Sequence, residues 1–142
     1  MNQIPEQLRN LILKQPGEIF RTDKEEVILE LRKLGVNEES QLYVFFKEFV
    51  ITFYPSTTSD EELTDIMHGI FMSTEFVQET WGIPDQYICL TSAEGEGCYL
   101  YSKETESVYD FSLEDRENFI LSPIPRWKTF FEFLEWFLTP VH

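Results

Sequence analysis

The sequence predicts an α+β fold: an antiparallel or mixed sheet with a meander in the C-terminal half, helices packed on it, and a closing C-terminal helix. Apolar residues recur at three- and four-residue steps in the first 55 positions, which indicates helices. Short apolar runs separated by turns between residues 87 and 111 indicate the meander. Because the strands are grouped and do not alternate with helices, α+β is favoured over α/β. The 142 residues predict a single domain over 1–142.

Turn and capping residues delimit the first two predicted helices. The first has Pro5 in its first turn and stops at Pro16 and Gly17. Thr22 and Glu25, three residues apart, predict a capping box at the start of the second helix. Gly35 is expected to end that helix in the left-handed conformation.

A third, strongly apolar helix and a short acidic helix are predicted next. Asn37 is a plausible N-cap of the third helix, which ends before Pro55. Its apolar stripe consists of Leu42, Phe45, Phe46, Phe49, Val50 and Phe53. Ser59 and Glu62 have the spacing of a second capping box, which predicts a short helix through residue 67.

The periodicity then changes from helical steps to strand-like alternation. The predicted order is a strand at 70–72, a helix at 74–81, strands at 87–91, 98–101 and 108–111, and the closing helix at 127–138. A hairpin with Ser92 opposite Gly97 would place Cys98 opposite Thr91, with Cys89 diagonal to it on the same face. We therefore expect two buried, reduced thiols and no disulfide.

The net charge narrows the possible partners. Eleven Lys and Arg against 26 Asp and Glu leave the chain at −15. A nucleic-acid ligand needs clustered basic residues, and an anionic membrane surface would repel this chain, so neither is expected. A basic protein would be attracted. The first residues lack the basic-then-apolar pattern of a secretory signal, and no stretch is apolar enough to cross a bilayer, which favours a cytoplasmic location.

Residues that could carry chemistry are few. His68 and His142 are the only histidines, and the motifs of common hydrolases, metalloproteases and nucleotide-binding enzymes are missing. We expect neither catalysis nor a cofactor. On the predicted acidic helix, Glu61 and Asp65 would stand one turn apart; they could share a hard cation such as Ca²⁺, or form a solvated first turn, which we favour.

Trp136 is the clearest candidate for an apolar contact. On the closing helix it lies nearly opposite the buried arc formed by Trp127, Phe130, Phe131, Leu134, Phe137 and Leu138. Either another part of the chain covers it, for which the first helix is a candidate, or it contacts a partner or a second copy.

Several motifs of the C-terminal half resemble the SUKH superfamily, the Smi/Knr-type domain. They are IPDQYICL at 83–90, the EGEG turn at 94–97, Tyr99 and Tyr101, ETESVY at 104–109, and FFEFL at 130–134. The resemblance covers about 20–138 and is strongest over 70–138. The Leu-Pro lead and the Asn-Gly-Gly turn that members often carry are replaced here by VNEE at 36–39 and FYPS at 53–56.

This resemblance implies an α+β domain without catalytic residues. Most bacterial members are immunity proteins that bind and neutralise a cognate polymorphic toxin, often a nuclease. Eukaryotic and some bacterial relatives suggest the alternative, a housekeeping regulatory or scaffolding module. We expect a basic toxin domain as partner and a monomer or weak homodimer. The expected partner-binding residues are Asp60, Glu61, Glu62, Asp65, Glu94, Glu96 and Trp136.

Overall fold

A three-stranded antiparallel sheet lies between two layers of helices in the computed structural model, which describes residues 3–52, 54–93 and 95–140. The α+β fold and the closing helix are confirmed. The elements are α1 (Glu6–Leu13), α2 (Lys24–Lys33), α3 (Gln41–Glu48), α4 (Ile70–Trp81), β1 (Tyr87–Cys89), β2 (Gly97–Ser102), β3 (Val108–Ser112), a 3₁₀ turn (Leu113–Asp115), α5 (Arg116–Leu121) and α6 (Phe130–Leu138). Among the described residues, no helix combines the length and apolar character that crossing a membrane requires.

The order of the predicted meander is confirmed, and so is the register predicted for its first hairpin. The strands lie in the order β1-β2-β3, and Cys89 pairs with Leu100, which in turn pairs with Tyr109. The pairing of β1 with β2 has the register that a hairpin with Ser92 opposite Gly97 requires. Because side chains alternate along each strand, this register decides which residues share a face.

The two faces of the sheet belong to different packing layers. One face carries Ile88, Tyr99 and Tyr101 into a core shared with α1, α2, α3 and α6. On the opposite face, Tyr87, Cys89, Cys98, Leu100, Tyr109 and Phe111 pack with Val77, Trp81, Ile83 and the half-buried Phe119. The layer formed by α4 and α5 is therefore separated by the sheet from the layer that contains α6.

The capping predictions for α2 and α3 are wrong, although both helices form. Asp23, rather than Thr22, precedes α2, and it makes no side-chain capping bond. Ser40 caps α3 by accepting a hydrogen bond from the Tyr43 N–H, because Asn37 instead stabilises the preceding turn through the Glu39 N–H. Gly35 has φ +75°, which confirms its left-handed position after α2.

Two predictions between residues 59 and 72 are also wrong. The segment 59–65 is not a helix, because it is extended and pairs with the sheet through a bridge between Leu63 and Thr91. The carbonyl of Asp65 then accepts hydrogen bonds from the N–H groups of His68, Gly69 and Ile70, and α4 begins directly at Ile70. The predicted strand at 70–72 is thus the first turn of that helix.

Three further differences from the predictions concern α3, α5 and α6. Helix α3 ends at Glu48, where Phe49 becomes extended, and the predicted stripe residue Phe53 lies outside the described residues. The short helix α5 was not predicted. Helix α6 begins at Phe130 because Trp127 instead pairs with Val108 at the edge of the sheet.

Candidate functional site

Asp65 is part of a buried ion pair and does not lie on the surface. Its carboxylate accepts two hydrogen bonds from Arg21, from Nη2 at 2.7 Å and from Nη1 at 2.9 Å, and the Asp65 side chain has no exposed surface. The N–H groups of Ile51 and Met67 donate to the same carboxylate. Arg21 also donates to the carbonyls of Phe46 and Phe49. The pair thus joins the end of α3 to the turn before α4.

The predicted pairing of Glu61 with Asp65 on a helix therefore does not exist. The extended segment separates the two residues, and Asp65 is already saturated by Arg21 and two backbone N–H groups. Across the part of the chain that the structure describes, no group of three or more His, Cys, Asp or Glu residues is arranged to hold a metal ion. Asp65 accordingly does not belong to the acidic surface of the protein.

The segment that carries Asp60, Glu61 and Glu62 is held against the sheet. The hydroxyls of Ser59 and Tyr99 are 2.5 Å apart, and the Glu61 N–H donates to Ser59 Oγ at 3.0 Å. Three residues after Ser59, the carbonyl of Glu62 accepts from the Ser92 N–H. Asp60 and Glu62 remain exposed, and Glu61 is half-buried.

Glu61 interacts electrostatically with Asp110, an acidic residue of the sheet. Burial raises the pKa of Glu61, and the negative charges of Asp110 and then Asp60 raise it further. Asp110 belongs to β3, so carboxylates that are far apart in the sequence converge here. Their mutual repulsion makes this part of the surface favourable for a cation.

Trp136 is half-buried, and Arg126 links it to Asp110. Its ring centroid lies 4.8 Å from that of Trp127 and 6.1 Å from that of Tyr99. The Arg126 guanidinium lies 4.6 Å from the Trp136 ring and 4.5 Å from the Trp127 ring, and it pairs with Asp110 at 2.7 Å. Trp136 therefore receives part of its cover from the segment that precedes α6, and the rest of the ring lines an open cavity.

These contacts define a continuous surface, which we call the Trp136 face. It consists of Asp60, Glu61, Asp110, Arg126, Glu132, Glu135 and Trp136. The face contains five carboxylates, one guanidinium and one indole ring. Arg126 is the only basic side chain among them, and its charge is shared with Asp110.

The remaining predicted partner-binding residues are less closely connected to this surface. Glu62 is exposed at the base of the β1–β2 turn, and Glu96 is exposed within that turn. No side-chain hydrogen bond or ion pair in the described ranges connects Glu96 to the Trp136 face. Glu94 lies outside the described residues, as does His142, whereas His68 is exposed in the turn before α4.

Four members of this face are not among the predicted partner-binding residues: Asp110, Arg126, Glu132 and Glu135. Asp110 alternates with buried residues on a short strand and looks like an ordinary solvent-facing position. Arg126 stands between Pro125 and Trp127, and an Arg-Trp pair after a proline break is a usable signal for a cation–π contact. The contact forms because Trp127 precedes α6. The sequence pattern predicts instead that Trp127 is part of the closing helix.

The two cysteines are buried free thiols, as expected, on the opposite face of the sheet. Cys89 Sγ donates to the Thr91 carbonyl at 3.1 Å. A hydrogen bond with Cys89, together with burial, raises the pKa of the Cys98 thiol. Burial and a raised pKa are the features of an inert core thiol at Cys98.

Comparison of the chain with protein-family models, with curated proteins and with solved structures finds no match.

Proposed function

We propose that this chain is a SUKH-type immunity protein, which neutralises a basic toxin domain by stoichiometric binding. The observation that carries the proposal is that the Trp136 face contains five carboxylates, two of which line a cavity with Trp136 itself. They come from the segment 60–61, from β3 and from α6, so the fold gathers acidic residues that are far apart in the sequence. The resemblance of residues 83–109 to SUKH domains gives independent support.

Charge and an aromatic anchor would act together in such a complex. A net charge of −15 accelerates the encounter with a basic protein, because opposite long-range fields steer diffusion. Binding strength then needs a residue that buries apolar area at the centre of the contact, and Trp is among the residues most enriched at such positions. Trp136, surrounded by carboxylates, provides both properties.

The experiment is a pulldown with the tagged chain from cells that encode a candidate toxin in the adjacent open reading frame. We expect the recovered partner to be a basic toxin domain in a one-to-one complex, and we expect co-expression of this chain to restore growth when the toxin is induced. Recovery of only non-basic housekeeping proteins would contradict the proposal.

A second candidate function is a housekeeping interaction module of the Smi/Knr type that binds by apolar contact. The observation that favours it is the exposure of Leu121 and Ile124, at 84% and 80%, at and just after the end of α5. The salt dependence of the association rate distinguishes the two functions. A steered complex should associate more slowly as salt rises from low to physiological concentration, because exposed charges are screened beyond about 8–10 Å, whereas an apolar contact should change little.

A further inference from the structure

A cavity of about 430 Å³ opens on the Trp136 face at the C-terminal end of α6. The residues that line it are Thr58, Glu132, Glu135, Trp136, Thr139 and Pro140. It is therefore built by one helix end and the loop that packs on it. The loop is fixed there, because the hydroxyls of Ser56 and Thr58 donate to carbonyls in the last turn of α6.

The charged side chains that line this cavity favour a cation. Among the described residues, its lining includes two carboxylates and no basic side chain. The last turn of α6 carries no basic residue, so the negative end of the helix dipole is not neutralised from within the helix. The side chain of Glu135 makes no hydrogen bond or ion pair within the described residues, and Glu132 Oε2 accepts one backbone N–H, from Lys128.

The indole of Trp136 indicates which kind of cation fits. Its ring already packs against the guanidinium of Arg126 at 4.6 Å, so the protein itself provides one example of Arg on this ring. Arg126 does not line the cavity, which leaves the cavity open to another group. A planar guanidinium can stack on an aromatic ring while its N–H groups bond to carboxylates, and an ammonium group cannot do both in the same way.

A hard metal ion fits the cavity poorly. The hydroxyls of Thr58 and Thr139 already donate to carbonyls of α6, and the two carboxylates alone supply fewer than the six to eight oxygen ligands that Ca²⁺ takes. The volume also far exceeds that of an ion, whereas it accommodates a long side chain.

We propose that this cavity receives an arginine side chain of the basic protein partner. The proposal rests on the proposed function, since it names the partner group that the Trp136 face recognises. The guanidinium lies against Trp136 and is bonded by Glu132 and Glu135, which stand three residues apart on α6. Thr58 and the end of α6 border the site.

The test is a titration of the ¹⁵N-labelled full chain with an end-blocked tetra-arginine peptide, followed by the indole N–H resonances in NMR spectra. Trp136→Phe identifies which of the three indole signals belongs to Trp136. We expect that signal to shift on addition of the arginine peptide. We expect a tetra-lysine peptide to bind more weakly and a tetra-citrulline peptide, which has a similar shape but no charge, not to bind.

The variant Glu132→Gln with Glu135→Gln tests the carboxylates. Glutamine retains an oxygen that can accept the Lys128 N–H, so the start of α6 is preserved. Loss of two ion pairs should weaken binding of the arginine peptide by about tenfold. The control is Glu75→Gln with Glu79→Gln, two exposed carboxylates of α4 across the sheet, which removes the same charge and should change the affinity less than about twofold.

Three results would overturn the proposal. They are equal binding of the lysine and arginine peptides, equal loss in the site and control variants, and a tetra-citrulline peptide that shifts the Trp136 signal as strongly as the arginine peptide does. Each of them leaves the proposed function intact, because that depends on the pulldown of a basic toxin. Conversely, a pulldown without a basic partner would remove the proposed function even if the arginine peptide binds.

Discussion

Asp65 illustrates how a single residue can look functional in the sequence and yet be structural. It stands in the tightest acidic cluster of the chain, but it is 2% exposed and paired with Arg21. The pair and its neighbouring backbone groups satisfy each other, which offsets the desolvation penalty that an isolated buried charge would have. No pattern in residues 59–67 distinguishes this carboxylate from its solvated neighbours, because its partner lies 44 positions earlier.

Removal of the Asp65 charge should strongly destabilise the fold. Asp65→Asn leaves the buried Arg21 guanidinium with only the partly exposed Asp23 carboxylate, 3.3 Å from Nη1, as a counter-ion, and we expect the free energy of unfolding to fall by about 3 kcal/mol. Urea denaturation measures this value. Asp60→Asn, the exposed control, should change it by less than about 0.5 kcal/mol. Equal effects of the two substitutions would show that the ion pair does not stabilise the fold.

Glu61 should make stability depend on pH in the opposite direction from a salt-bridged carboxylate. Burial, and then Asp110 and Asp60, raise its pKa on folding. The folded protein therefore retains the Glu61 proton at pH values where the unfolded chain has lost it. The contribution of this group to stability is greatest below its ordinary pKa and is lost as pH rises through the raised pKa.

The corresponding prediction concerns Glu61→Gln. This variant should be more stable than wild type at neutral pH, because the substitution removes an unfavourable ionised carboxylate there. At acidic pH, near the ordinary pKa of a glutamate, the gain in stability should be smaller. Urea denaturation at the two pH values measures the difference. Glu62→Gln, an exposed neighbour, controls for the loss of one negative charge. A gain that is the same at both pH values would contradict the account.

At the scale of elements, strongly periodic segments were predictable and contact-dependent ones were not. The hairpin register followed from turn residues that are adjacent in sequence, and the left-handed position of Gly35 followed from its place after an apolar stripe. The segment 59–65 has a helical capping pattern, but its tertiary contacts with Tyr99 and Thr91 outweigh that local preference. Helix α5 is only six residues long, which is too short for a periodic signal.

The end of α2 provides a test of local backbone geometry. Gly35 has φ +75°, a conformation that an L-residue adopts only with strain, and a Cβ there would meet Lys103 Nζ at 3.4 Å, an ordinary contact. We expect Gly35→Ala to lower the free energy of unfolding by about 1–2 kcal/mol, from backbone strain alone. Gly95→Ala is the matched control, since Gly95 is not at positive φ and a Cβ there would meet nothing within 4 Å. Thermal or urea unfolding that gives equal losses would contradict this explanation.

At the scale of the whole molecule, the charge was predictable but its arrangement was not. The value of −15 follows from the composition, and composition alone argues against nucleic-acid partners. The Trp136 face required the fold, because it joins the segment 60–61 to β3 and to the end of α6. The adjacent residues Asp60 and Glu61 and the distant residue Trp136 were each predicted as partner-binding. Nothing in the sequence indicates that they belong to one surface.

The most direct test of the central claim compares two variants that differ only in where charge is removed. The first neutralises four carboxylates of the Trp136 face: Asp60→Asn, Glu61→Gln, Glu132→Gln and Glu135→Gln. The second neutralises four exposed carboxylates of the opposite layer, through Glu75→Gln, Glu79→Gln, Glu114→Gln and Glu117→Gln. Both variants have the same net charge, and both are presented to the same immobilised partner recovered in the pulldown.

The measurement is the association rate constant of each variant at low and at physiological salt, by surface plasmon resonance. We expect the Trp136-face variant to associate at least about tenfold more slowly than wild type at low salt and to lose most of its salt dependence. The opposite-layer variant should remain within about threefold of wild type. Equal rate constants for the two variants would show that net charge alone, and not the Trp136 face, governs binding.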